Sequence, residues 1–157
     1  MELGLILGIL SAALVIVLGG IGSAIGVSLP GQAAAGVMTE DPEKFGRMIP
    51  LIGLPGTQGF YGLLVGFLVI NKIGLLTEKI KEVTASQGFQ LLSICLLVGL
   101  VECISAVYQG KVAVASIGLV AKKPDEVGKA LIIPIFVEIY AILGLVAGFL
   151  LLQGVKI

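Results

Sequence analysis

Four long runs of this chain are almost free of charge. Leu3 to Met38 and Met48 to Asn71 contain no Asp, Glu, Lys or Arg, Val83 to Gly110 contains only Glu102, and Ala130 to Val155 only Glu138. Each run exceeds the ~20 residues a helix needs to cross the hydrocarbon core of a bilayer. Inside that core only helices and closed barrels satisfy every backbone N–H and C=O. The runs therefore predict four transmembrane helices. Composition agrees, since 57% of the chain is hydrophobic and 13% charged, about half the charged fraction of ordinary soluble domains. Met1-Glu2-Leu3 lacks the basic segment of a signal peptide, so the first run is expected to be retained as a span.

Two short charged turns, 39–46 and 121–128, each built around a proline, join the spans pairwise. They look alike because the chain is a tandem repeat. A shift of 82 residues pairs Pro42 with Pro124, Gly46 with Gly128, Ser11 with Ser93, Ser23 with Ser105, and Gly66-Phe67-Leu68 with Gly148-Phe149-Leu150. One hairpin has been duplicated and fused: 1–72 is the first hairpin, 73–82 a connecting loop and 83–157 the second hairpin. Both halves run in the same direction, unlike inverted-repeat transporters. Both termini fall on the connecting-loop side. Lys44, Arg47, Lys122, Lys123 and Lys129 flank the turn side, against Lys72, Lys79, Lys81 and Lys156 opposite. That small excess points to cytoplasmic turns.

Several function classes drop out. Net charge is zero and no basic tract exists, which argues against nucleic acid. There is no His to act as general base or transition-metal ligand. Cys95 and Cys103 lie two helical turns apart, too far to bridge, and read as small buried hydrophobes. The run Gly19 to Gly26 has no preceding strand and no following Lys-Ser/Thr, so it is not a phosphate loop. Gly22 and Gly26, four apart, instead give a smooth face for close helix packing. Ala113, Ala115, Ser116 and Gly118 do the same in the third span. These equivalent helices are expected to pack tightly on one side, as the crowded inside of a membrane ring requires, although simple pairwise packing also produces small faces.

An acid at bilayer depth costs ~2.5–3.5 kcal/mol and is functional by default. Glu138 lies about 14 residues past Pro124, near mid-membrane at 1.5 Å per residue. Folding back at the turn brings Gln109 level with it, and the repeat brings Thr57 and Gln58 to the same depth. One carboxylate, two amides and one hydroxyl are hard oxygen ligands, suited to hard cations. A single negative charge matches a monovalent ion. Pro55 lacks an N–H, so carbonyls around 51–54 are free to serve the site. Interhelical hydrogen bonding without an ion is the alternative for both glutamines, and a bond to its own helix for Thr57. Glu102, two turns before Gln109 on the same face, lies ~10 Å from this layer. A second ion station, an ion-access residue and a protonated or water-facing structural acid all stay open for it.

Three stretches resemble a known family. Gly53-Leu54-Pro55-Gly56-Thr57-Gln58-Gly59-Phe60-Tyr61-Gly62 is similar to the second-helix motif of the rotor-ring K subunit (c-type proteolipid) of V-type and A-type rotary ATPases. Gln109-Gly110-Lys111-Val112-Ala113 and Val137-Glu138-Ile139-Tyr140-Ala141-Ile142-Leu143-Gly144 are similar to those of the third and fourth helices. The resemblance implies an all-α membrane protein of four helices in two tandem hairpins, assembled with its copies into a lipid-embedded ring. It implies a non-catalytic subunit turned by a cytoplasmic ATPase through its central stalk, working against a stator membrane subunit that supplies an arginine. In sodium-translocating members it assigns Na⁺ ligands to Leu54, Thr57, Gln58, Gln109 and Glu138. Glu138 is then the ion carrier, and Tyr61 hydrogen-bonds it. Glu102 departs from the family pattern. A proton-translocating ring, a standalone four-helix channel or carrier, and a purely structural oligomer are the rival readings.

Overall fold

The computed structural model describes residues 3–77 and 80–157; Met1, Glu2, and Glu78 and Lys79 of the connecting loop lie outside the described residues. Helix α1 spans Leu3–Met38, α2 Phe45–Gly53, α3 Thr57–Lys72, α4 Ala85–Lys122 and α5 Val127–Gly154. With their flanking turns these make four segments long and apolar enough to cross a membrane. The second of them is not one continuous helix, as a single apolar run suggested. Pro55 breaks it, and Leu54–Gly56 forms a single 3₁₀ turn between α2 and α3.

Each hairpin closes the same way. Pro42–Lys44 and Pro124–Glu126 are 3₁₀ turns that open the returning helix, where a proline's missing N–H costs nothing. Arg47 reaches across to Asp125 at 3.3 Å, and Lys44 Nζ donates to the Ala121 carbonyl at 2.9 Å, tying the two turns side by side. At the other end Thr84 caps α4 in a reciprocal box with Gln87. The link before it turns at Gly74, whose φ of 77° suits glycine.

Lipid offers no hydrophobic drive between helices, so backbone contact and packing must hold them. α1 and α4 run parallel in close contact, with α3 laid on α1 and α5 on α4. A Cβ on Gly22 would strike the Cys103 backbone, one on Gly26 the Ala106 carbonyl, and one on Gly110 the Gly26 backbone. Gly19 and Gly62 perform the same service between α1 and α3, where a Cβ on Gly62 would stand 2.7 Å from the Val15 carbonyl. The small residues do not form one uniform face, however. Gly20, Gly36 and Gly118 have open space where a side chain would go, and Ala115 is exposed, while Ala113 and Ser116 are buried. The outer surface is apolar: Phe60, Phe136, Tyr140 and Leu150 are all well exposed.

Candidate functional site

α5 carries Glu138 inward, 7% exposed, against α3 and α4. Around it gather the residues that counting from the turns placed at one depth. Thr57 Oγ1 lies 2.8 Å from Glu138 Oε1 and 3.0 Å from Oε2. Gln109 Nε2 donates to Oε2 at 2.7 Å and to the Pro134 carbonyl at 3.2 Å. Gln58 Nε2 donates to Gln109 Oε1 at 2.7 Å and approaches Glu138 Oε2 at 3.3 Å. Tyr61 donates its phenol hydrogen to Oε1 at 2.7 Å. Gln58 and Gln109 are wholly buried.

The break at Pro55 positions this cluster. Around Pro55 the backbone tightens into a 3₁₀ turn in which Leu54 O accepts from the Thr57 amide. That same carbonyl lies 2.9 Å from Thr57 Oγ1, and Gln58 Oε1 lies 3.3 Å from it. One hydroxyl therefore stands among four other oxygens: two from Glu138, one from Leu54 and one from Gln58. A threonine hydroxyl owns a single hydrogen and cannot serve all four. The hydroxyl and these four oxygens, within 3.3 Å of it, are hard ligands of the kind a hard cation takes. The two amides give the site adjustable chemistry, since rotating either about its last bond exchanges nitrogen for oxygen without moving backbone.

Counting residues missed the supporting contacts. Ser23 Oγ accepts from the Gly59 amide at 2.8 Å, and Ser105 Oγ donates to the Val137 carbonyl at 3.2 Å. Each pins a helix one residue from a site element, and the two serines are repeat mates. The Pro134 carbonyl, one turn before Glu138, accepts from Gln109 and so orients it. In the first hairpin the residues matching Glu138 and Gln109 are Gly56 and Val27, and a Cβ on Gly56 would lie in ordinary contact with Val27. Only the second half of the repeat carries an acid here.

Glu102 does not face water. It is 0% exposed, and both its carboxyl oxygens lack a hydrogen-bond partner among the described residues. Its helix is packed against α1 on one flank and α5 on the other, which removes the water-facing option left open for it. An open apolar groove of about 570 Å³ runs between α4 and α5, lined by Val101, Tyr108, Val137, Tyr140 and Gly144 among others, and none of the oxygen cluster lines it.

Known proteins share this pattern. The family model for the C subunit of ATP synthase matches the chain twice, over residues 10–69 and 92–151. The chain belongs to that family. The two matches fall one on each hairpin, in the register of the repeat. The V-type sodium ATPase subunit K of Enterococcus hirae is 41% identical over 94% of this chain and 91% of its own length. The A-type ATP synthase subunit K of Methanocaldococcus jannaschii is 40% identical over 96% of this chain, which spans 64% of that relative. As a c-type proteolipid with four spanning helices, the chain is a multi-pass membrane protein and a non-catalytic subunit of a rotary ATPase.

Proposed function

We propose that this proteolipid carries Na⁺ on Glu138 through the rotor ring of a V/A-type ATPase. The observation that carries the reading is the convergence of hard oxygens around Thr57, two from Glu138 and one each from Leu54 and Gln58. A proton carrier needs only the acid and an apolar cage. Na⁺ would take Glu138, Thr57, the Leu54 carbonyl and the amide oxygens of Gln58 and Gln109, with Tyr61 holding the carboxylate from the exposed side. The name of the Enterococcus relative, a sodium ATPase subunit, supports the same ion.

The mechanism is neutralise, rotate and release. A cation cancels the Glu138 charge, so the loaded site can face lipid at small cost. Copies of the chain form the ring, and the central stalk of the ATPase turns it. At the stator membrane subunit an opposing cationic side chain favours the bare carboxylate and expels the ion. The short charged turns face the cytoplasm and the ATPase, and the termini face the other side of the cell membrane. Residues 1–72 and 83–157 act as two hairpin units joined by 73–82.

Glu138→Gln keeps the shape and removes the charge. Rings of this variant are expected to assemble and to lose ATP-driven ²²Na⁺ uptake into proteoliposomes of the whole complex. Uptake at the wild-type rate would refute the assignment. A proton-translocating ring predicts instead that wild-type uptake of Na⁺ is absent while acidification occurs without added sodium.

A further inference from the structure

We propose that Glu102 is a second ion site of this chain, holding a proton that does not exchange for Na⁺. This is independent of which ion Glu138 carries.

The argument begins with burial. Glu102 is 0% exposed within a single chain, so a neighbouring copy or the stator could reach it only by opening the helices. Neither carboxyl oxygen has a hydrogen-bond partner among the described residues. Oε1 lies 3.5 Å from where a Cβ of Gly144 would stand, so the carboxyl rests against the α5 backbone in a space that glycine leaves clear. An ionised carboxylate so placed has neither countercharge nor donor, the most expensive state a buried acid can take.

The surroundings supply no cation either. Among the described residues α1 carries no titratable side chain. From α3 the titratable groups are Tyr61, whose hydrogen is given to Glu138, and Lys72, eleven residues further on in the last turn of the helix. From α5 they are Glu138 itself, another negative charge, Tyr140, which points outward, and Lys129 by the turn, which pairs with Glu126. On α4, Cys95 is buried and Cys103 half-buried, and Lys111 lies over the exposed ring of Tyr108, two and a half turns away. A sodium ion is a poor occupant as well. It needs several oxygens, and the nearest hydroxyl on the helix, Ser105, is committed to the Val137 carbonyl. The grooves beside this position are lined by Val98, Val101, Ala147, Gly148 and similar apolar residues. A proton is the one cation that asks for no further ligand. It leaves Glu102 a neutral acid, so each chain still moves one charge per step.

The test is infrared difference spectroscopy on intact rings in lipid. The wild-type minus Glu102→Gln spectrum, with saturating Na⁺ at neutral and mildly alkaline pH, is expected to show the carbonyl stretch of a neutral carboxylic acid. That band should shift in deuterated water and be insensitive to Na⁺ concentration. A second pair, Glu138→Gln with and without Glu102→Gln, removes the signal of the carrier and should show the same band. A difference spectrum holding only carboxylate bands, or a neutral-acid band that disappears as Na⁺ is added in both pairs, would overturn the proposal.

Discussion

Replacing Thr57 by valine removes one oxygen and little else. Valine matches threonine in shape, so packing of α3 against α5 should survive, while the hydroxyl that stands among the four oxygens disappears. A neutral group interacting with a charged one contributes about 1.5–3 kcal/mol net, and every 1.4 kcal/mol is a factor of about ten in affinity. The ion-free carboxylate keeps Gln109 and Tyr61 as donors at 2.7 Å each, so the loss falls mainly on the cation-loaded state. Na⁺ affinity should therefore drop by about ten- to a hundredfold. The assay is protection: intact rings are treated with dicyclohexylcarbodiimide at fixed pH, and the Na⁺ concentration that halves labelling of Glu138 is measured. A rise of at least about tenfold is expected on that energy scale. If half-protection stays where it is in wild type, Thr57 merely bonds its own helix at Leu54, and the oxygen-cluster argument fails.

Two further outcomes follow from the packing and the topology. Gly110→Ala would drive a methyl into the Gly26 backbone, an overpacking that costs about 1–3 kcal/mol, and thermal unfolding of the ring should occur at lower temperature. Gly118→Ala, which meets open space within the chain, serves as the comparison. A cysteine placed at Glu40, exposed in the first turn, should react with a membrane-impermeant maleimide in inside-out vesicles and not in right-side-out ones; the reverse pattern would invert the proposed sidedness.

Much of this arrangement was legible because helices rise at a constant rate. Counting from Pro42 and Pro124 placed Thr57, Gln58, Gln109 and Glu138 at one depth, and they meet there, since α4 and α5 are uninterrupted over that distance. The spans themselves were visible as gaps between charges. What stayed hidden was rotation about each helix axis. α1, α4 and α5 carry apolar residues on all sides and only a few polar ones, so no continuous stripe of polarity says which side turns inward. For that reason the sequence left the surroundings of Glu102 open, and did not say which glycines touch backbone, as Gly22 does, and which face open space, as Gly20 does. The break in the second span was half legible. Pro55 announced a disturbed hydrogen-bond ladder, but Pro30 and Pro134 lie inside α1 and α5 without ending them. Only the local backbone decides between a kink tolerated and a helix divided.

The pairing of Gly56 with Glu138 has a consequence for energy conversion. Duplication doubled the helices of each unit, yet only one of its halves holds an acid at this position. On the proposed mechanism, a wheel built from such units moves half as many ions per revolution as one of equal helix count with an acid in every hairpin. The same work from the motor is then divided among fewer ions, so each can be driven against a steeper gradient. Glycine where an acid could stand acts as a low gear, trading throughput for height of climb.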